Sequence, residues 1–180
     1  MTTSQNGWPA LASDSSRLRT LVIPARNGER KIRARGGSAG FLLAFLALWF
    51  SEKLEDITAQ GVLDDWGFAY RPVRDGSDLS NHASGTAIDL NATWHPLGKV
   101  WTGIFRKVWA RDLLNRFLVR RLKGCVRWGG NYFGRKDEMH FEIVQNIELC
   151  ERVAKRLMRR TWRGKRILRA NPGLKEEILS

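Results

Sequence analysis

The chain has 180 residues, which is enough for one well-formed hydrophobic core but too few for two full domains. Its hydrophobic content of 43% and its eight tryptophans are typical of a folded protein and exclude an intrinsically disordered one. With 31 Lys and Arg against 18 Asp and Glu, the net charge of +13 favours a polyanionic partner: nucleic acid, an anionic membrane surface or an acidic cell-wall polymer.

The chain begins with a polar, turn-rich segment, residues 1–17, which we expect to be loosely ordered. Two short apolar runs follow, TLVIPA at residues 20–25 and KIRAR at residues 31–35. They flank the pair Asn27-Gly28, which favours the tight turn of a β-hairpin.

The longest apolar run, AGFLLAFLALWF at residues 39–50, is too short to cross a bilayer, which needs about 20 apolar residues. Basic residues precede the run, as in a secretory signal peptide. However, a long stretch of mixed sequence comes first, and no small-x-small cleavage site follows. We therefore expect a buried helix with Ser38 as its N-cap, and neither a signal peptide nor a transmembrane segment.

The middle of the chain predicts two strands and a helix. WGFAYRPV at residues 66–73 is interpreted as a short strand that ends at its proline, and TAIDLN at residues 86–91 as a second strand. From Thr102 to Lys123, apolar side chains recur at helical spacing, and Gly124 is well placed to cap the helix.

The last part predicts strands at CVRW, residues 125–128, and at EMHFEIV, residues 138–144, with a helix from about Ile147. Short strands alternating irregularly with helices indicate an α+β fold, a small antiparallel sheet with flanking helices. We assign residues 18–150 to this domain and residues 151–180 to a basic C-terminal helix and tail.

Two of these strands alternate apolar side chains with potential metal ligands. Asp89 lies on one face of TAIDLN, and Glu138, His140 and Glu142 lie on one face of EMHFEI. If the strands are neighbours, Asp89 and His140 face a common cleft. His82, in the loop before the first strand, could join them there.

Two imidazoles and one carboxylate make a catalytic zinc site with one position left for water. Asp137, three residues before His140, is a candidate general base, and Glu138 is the adjacent alternative. Glu142 is interpreted as a support for His140. However, an isolated histidine is more often structural than a ligand, and the HExxH motif of many zinc proteases is absent. The residues alone therefore leave both interpretations open.

SNHASGTAIDLN followed by DEMHFEI resembles the signature of the zinc-dependent LAS peptidases, S-x-H-x-x-G-x-A-x-D and then [DE]-x-x-H. This family includes VanY-like D-alanyl-D-alanine carboxypeptidases and L-alanyl-D-glutamate endopeptidases. The wider stretch, roughly residues 38–145, is similar to peptidase domains of bacteriophage endolysins, particularly from phages of actinobacteria. The resemblance implies a single domain with the Hedgehog/DD-peptidase-like fold.

The resemblance also implies roles for individual residues. His82, Asp89 and His140 would bind one zinc ion, and Asp137 would be the base. Many relatives have glutamate at that position, so aspartate is a departure that shortens the reach. Arg71 matches an upstream position from which a guanidinium would stabilise the oxyanion, although it is equally readable as one more surface arginine.

Two further residues near the motif have less specific expectations. Ser80 is expected to position the loop around His82 by hydrogen bonding. His95, in TWHPLG, is a spare imidazole that either contacts substrate or stabilises a turn.

The implied reaction is hydrolysis of an amide bond in the peptidoglycan stem peptide or cross-link, by a monomeric phage endolysin that lyses the host. Its expected location is the host cytoplasm before release to the wall. Alternatives are a bacterial D-Ala-D-Ala carboxypeptidase in wall remodelling, or a basic non-catalytic protein that binds cell wall or nucleic acid. No nucleic-acid-binding motif is present. The apolar face of the basic C-terminus is expected to pack on the domain over its first two turns; beyond Gly164 the segment either continues this packing or contacts an anionic envelope or wall polymer.

Overall fold

The computed structural model describes residues 2–59, 61–73 and 76–180. Within these ranges the chain forms five α-helices and two antiparallel sheets, which confirms the α+β prediction. The elements in chain order are β1 (Leu18–Ile23), β2 (Arg30–Arg35), α1 (Gly37–Lys53), β3 (Ala87–Asp89), α2 (Val108–Arg120), β4 (Val126–Trp128), β5 (His140–Ile143), α3 (Ile147–Arg160), α4 (Trp162–Ala170) and α5 (Leu174–Leu179).

Helix α1 is the centre of the core, as its apolar sequence predicts. Every residue from Ser38 to Ser51 is buried, because the helix is apolar on all sides and other elements cover each of them. At its C-terminal end, the ring of Phe50 packs 5.8 Å from that of Phe141 in β5. Among the described residues, no helix combines the length and apolar character needed to cross a membrane.

The start of α1 differs from the prediction. The N-cap is Gly36 rather than Ser38, and no side chain of its own caps the helix. The free N–H of Gly37 instead donates to the carboxylate of Glu177 in α5, at 2.9 Å. Because this acceptor comes from the far end of the chain, local sequence could not indicate it.

Strands β1 and β2 form the predicted hairpin, with Leu18 opposite Arg35 and Ile23 opposite Arg30. The second sheet has the order β3-β5-β4, so β5 lies in its centre. Its register places Asp89 directly opposite His140, as the alternation of ligands and apolar residues predicted.

The prediction of a strand over residues 66–73 was wrong, because the structure has only isolated bridges there. Trp66 exchanges both backbone hydrogen bonds with Asp89, at 2.9 and 2.8 Å. The chain then turns toward β2, where a Cβ atom on Gly67 would lie 2.1 Å from the carbonyl oxygen of Arg33. The segment therefore contacts the edges of two sheets without extending either of them.

The predicted helix over residues 102–123 is also shorter than expected. It is divided into a 3-10 turn at Gly103–Arg106 and helix α2, because Lys107 between them has an extended backbone. The C-cap of α2 is Arg121 rather than the predicted Gly124, which lies three residues further on, adopts a φ of +70° and donates its N–H to Leu118 in the last turn.

Both ends of the chain pack against the domain. Of residues 1–17, which we expected to be loosely ordered, all but Met1 are described, and Trp8 and Leu11 are buried. At the other end, beyond Gly164, Ile167, Leu174 and Ile178 are buried in the same core as α1. Both polar segments contain apolar side chains, and burying these side chains holds the two ends of the chain against the domain.

Candidate metal centre

Local structure brings the three predicted ligands together. The β3–β5 pairing places Asp89 beside His140, and the 3-10 turn Asn81–Ser84 supplies His82. Ser80 caps that turn, its hydroxyl accepting the N–H of His82 at 3.3 Å. Gly85 ends the turn with a φ of +68°, and a Cβ atom there would lie 2.6 Å from the backbone nitrogen of Arg35.

The three side chains converge on one point. Asp89 Oδ1 lies 2.9 Å from His140 Nδ1 and 3.3 Å from His82 Nε2, and the two imidazole nitrogens are 3.2 Å apart. All three side chains are buried, and each offers one atom that could bind a metal ion. Two nitrogens and one carboxylate oxygen are a donor set typical of zinc.

The other ring nitrogens of the histidines have acceptors. His82 Nδ1 donates to the carbonyl oxygen of Gly67 at 2.6 Å, and His140 Nε2 lies 3.4 Å from Glu142 Oε2. Hydrogen bonds to these acceptors keep the ring protons on His82 Nδ1 and His140 Nε2. The lone pairs of His82 Nε2 and His140 Nδ1 are then available to bind a cation. The residues therefore fit a metal ion.

The electrostatics of the cluster also favour a positive charge at this point. Burial alone would lower the pKa of His140, but hydrogen bonds and charges from Asp89 and Glu142 outweigh burial and raise it to about 10. Burial likewise would raise the pKa of Asp89, and the two imidazoles instead hold it far below its ordinary value. Either a proton or a divalent cation can supply the charge that the carboxylates stabilise.

Glu142 is held by several groups besides His140. Arg127 donates to Glu142 Oε1 through Nε at 2.8 Å, Tyr132 donates its hydroxyl at 2.7 Å, and the amide of Asn81 donates to Oε2. Burial would raise the pKa of Glu142, but these bonds and His140 lower it to about 2. Sequence reasoning found Glu142 but missed its partners. Arg127 could have been found, since it lies opposite Glu142 in the β4–β5 register.

Asp137 has the environment expected of a base. Its Oδ1 is a buried oxygen with no hydrogen-bond partner among the described residues. Such an oxygen lowers the stability of the fold, and oxygens of this kind are often found at functional sites. Burial, reinforced by the charge of Asp89, raises its pKa to about 6 against the opposing effect of His140. Its backbone is fixed by Gly129, whose carbonyl accepts its N–H at 3.1 Å, and by His140, whose N–H donates to its carbonyl.

The cluster and Asp137 line one cleft of about 650 Å³. Arg71 also lines the cleft, with its side chain exposed and its Nη1 3.3 Å from the carbonyl oxygen of Pro72. Other lining residues were not among the predicted site residues; they include Trp66, Tyr132 and Arg135.

Residues 73–143 match a protein family described as D-alanyl-D-alanine carboxypeptidase. The match supports a peptidase. It spans the three clustered ligands and Asp137, so it covers the chemistry of the cleft, while Arg71 lies outside it. Neither the curated proteins nor the solved structures contain a match to the chain.

Two predicted residues of this peptidase-like chain lie outside the cleft lining. Glu138 accepts the backbone N–H groups of Trp101 and Thr102, at 2.6 and 2.9 Å. His95 is fully buried, with Nε2 2.8 Å from Glu55 and Nδ1 2.7 Å from the Thr102 hydroxyl. Strand β5 begins only at His140, so the alternation that placed Glu138 beside the ligands does not extend back to it.

Proposed function

We propose that the protein is a zinc-dependent peptidase that hydrolyses an amide bond in the stem peptide or cross-link of peptidoglycan. The observation that carries this proposal is the convergence of His82, Asp89 and His140 in a cleft that also contains Asp137, whose buried Oδ1 has no hydrogen-bond partner among the described residues. The family match to a carboxypeptidase supports hydrolysis over a non-catalytic role in binding wall or nucleic acid.

Each residue of the cleft has a part in this reaction. His82, Asp89 and His140 would hold the zinc ion, which supplies Lewis-acid chemistry that polarises a carbonyl group and acidifies water. Asp137 takes the proton of the attacking water and transfers it to the departing amine. A carboxyl whose pKa is raised to about 6 by burial is suited to both steps near neutral pH.

Arg71 is the candidate for stabilising the negative charge that develops on the carbonyl oxygen. Its guanidinium lies at the cleft and makes its only described side-chain hydrogen bond to the neighbouring Pro72, so it can reorient toward substrate. A positive group aimed at the developing charge lowers the barrier to amide hydrolysis.

We further propose that the activity belongs to a monomeric phage endolysin acting on the wall of its host, as the resemblance of the sequence motif implies. The second candidate is a bacterial carboxypeptidase that removes a terminal D-alanine in wall remodelling. The description of the matching family favours it. Mass spectrometry of digested wall fragments distinguishes the two, since only the carboxypeptidase releases single D-alanine residues.

The test of the peptidase is Asp137→Asn, compared with Asp112→Asn on the exposed surface of α2. We expect Asp137→Asn to lose about 100-fold or more of its activity in a peptidoglycan zymogram, because general-base catalysis typically contributes that much. Bound zinc should stay near one ion per chain in both variants. A chelator should abolish the activity of the unmodified chain. Lysis that survives in Asp137→Asn would exclude Asp137 as the base.

A further inference from the structure

A second concavity of about 320 Å³ lies between α1, α2 and the junction of α3 with α4. It shares no lining residue with the metal cleft. We call it the aromatic–arginine recess, after the residues that define it: Phe45, Trp49, Phe117, Arg121, Arg160 and Trp162.

The floor of the recess is aromatic and rigid. Phe117 of α2 is stacked on Trp49 of α1, with ring centroids 3.9 Å apart and planes inclined by 10°. Phe45, one turn earlier in α1, also stacks on Phe117, with ring centroids 6.2 Å apart. These three rings are almost fully buried, so the floor is part of the core rather than a mobile surface.

The rim carries an aromatic ring that is held in the open. Trp162, the first residue of α4, is 56% exposed. The guanidinium of Arg163 lies 4.6 Å from its ring centroid and also donates to Glu52 at 2.7 Å. A large apolar side chain that is exposed but supported in this way offers a flat surface to a ligand.

Two arginines complete the rim. Arg121 follows the end of α2, Arg160 ends α3, and among the described residues neither side chain has an acidic partner or a hydrogen bond. The guanidinium of Arg156 adds positive charge nearby by donating to the backbone carbonyl of Arg121. Glu52, the nearby acid described, is already paired with Arg163 and Arg166. The recess therefore attracts anions.

We propose that the aromatic–arginine recess binds an anionic wall glycopolymer. A sugar ring packs on Trp162, and an acidic substituent, phosphate or carboxylate, is bound by Arg121 and Arg160. The proposal rests on the proposed function, which brings the chain to the cell wall. It gives the molecule a wall-binding site separate from the cleft that cuts the peptide.

Other polyanions fit the recess less well. Single-stranded nucleic acids are bound by several aromatic rings in succession along a basic groove, whereas this recess exposes a single ring. A membrane surface is bound by a helix whose apolar face points outward, and the apolar residues of α3 instead lie in the core.

The test is sedimentation of the full chain with purified walls, in the presence of a chelator that stops hydrolysis. The double variant Arg121→Gln/Arg160→Gln should bind walls roughly tenfold more weakly, because it removes charge-assisted hydrogen bonds. Trp162→Ala should also weaken binding although it changes no charge. The control is Arg17→Gln/Arg26→Gln, which removes two charges from exposed, unpaired arginines elsewhere, and should change binding by less than about twofold.

Walls extracted with acid to remove phosphodiester-linked polymers show which anion is bound. Lost binding after extraction identifies phosphate, and retained binding identifies a carboxylate; either result supports the recess if its variants remain weaker than the control. Equal losses in the double variant and the control would overturn the proposal, since total charge would then explain binding. So would a recess-dependent preference for DNA or for vesicles of anionic lipid.

The experiments separate failure of the recess proposal from failure of the peptidase proposal. Catalysis is measured separately, as hydrolysis of a soluble stem peptide by the unmodified chain. A chain that binds walls through the recess but leaves the peptide intact would contradict the peptidase proposal and leave the recess proposal standing.

Discussion

At the scale of single residues, the metal centre depends on groups that never touch the metal position. Glu142 contacts His140, Asn81, Tyr132 and Arg127 at once, and it is the acceptor that sets which nitrogen of His140 carries the proton. Groups in this position orient a ligand and raise its basicity, so their removal typically weakens metal binding.

We therefore expect Glu142→Gln to lower zinc affinity by roughly 10- to 100-fold, because the amide cannot replace the carboxylate as acceptor for both His140 and Arg127. Competition with a chromophoric chelator measures the change. Glu176→Gln, an exposed glutamate in α5, is the matched control and should bind zinc like the unmodified chain. Unchanged affinity in Glu142→Gln would show that His140 needs no such support.

Glu55 belongs to a second hydrogen-bond network, with His95, Ile104 and Asn91, and its ionisation makes the stability of the fold depend on pH. Burial would raise its pKa, but hydrogen bonds from His95, Ile104 and Asn91 hold it below the ordinary value of 4.5. A carboxyl whose folded pKa is lowered stabilises the folded chain above the unfolded pKa. That stability is lost as pH falls through the folded value.

Glu55→Gln should accordingly cost about 1–3 kcal/mol of unfolding free energy at pH 7, where the charged hydrogen bonds are present. The difference from the unmodified chain should shrink progressively as pH falls below the unfolded value of 4.5 and toward the lower folded pKa, where Glu55 itself becomes neutral. Urea denaturation at pH 7 and pH 4 measures this, with Asp112→Asn as control. A difference that is the same at both pH values would exclude a role for ionised Glu55.

At the scale of elements, the N-terminal segment acts as a strap across the sheet that carries the ligands. The side-chain amide of Asn6 donates to the hydroxyl of Thr86 at 2.7 Å and to the carbonyl oxygen of Ile143 at 2.8 Å. Its backbone N–H donates to the side chain of Asn81 at 2.9 Å, and Asn81 in turn donates to Glu142. Residues far apart in sequence are thus connected to the metal centre.

Asn6→Ala should lower the unfolding free energy by about 1–3 kcal/mol, because two partly buried acceptors lose their donor. Zinc affinity should fall as well, because Thr86, whose hydroxyl donates to Asn81 in the turn that carries His82, loses the donor that Asn6 supplies. Asn115→Ala, in α2, whose side chain accepts an exposed hydrogen bond from Asn131, is the control for loss of an asparagine. Thermal melts and zinc competition of the two variants would be indistinguishable if the strap had no structural role.

At the scale of the whole molecule, the basic C-terminus is part of the fold as well as a source of charge. Ile167, Leu174 and Ile178 are buried against α1, and Glu177 completes the N-terminus of that helix. The positive charges lie on the opposite, solvent-facing sides of α3 and α4. A deletion would therefore confuse loss of charge with loss of folding, and point variants are required to study wall binding.

A chain that ends at Arg163 should lose most of its stability. Burial of each of the three apolar side chains contributes about 1.5–3 kcal/mol, against a typical total of 5–15 kcal/mol. Near-ultraviolet circular dichroism during heating should show a much lower or non-cooperative transition. Lys165→Gln in the full chain, which changes only an exposed side chain, should melt normally. An unchanged melting temperature after truncation would contradict the packing of α4 and α5.

Features that depend on local pattern could be predicted from the amino acids alone. The apolar run of α1, the Asn27-Gly28 hairpin and the alternation along β3 and β5 follow from the periodicity of neighbouring side chains. The same alternation predicted that Asp89 and His140 would face one cleft only if the two strands were neighbours, which the alternation could not establish.

Contacts between groups that are distant in the chain could be identified only after folding was known. No local pattern could show that Glu177 caps α1, that Asn6 supports Asn81, or that Glu138 is occupied by the loop at residues 101–102. The physical reason is that hydrogen bonds and burial depend on distance in space. The pattern of a short segment reports only the periodicity of its own backbone and the side it turns to the core.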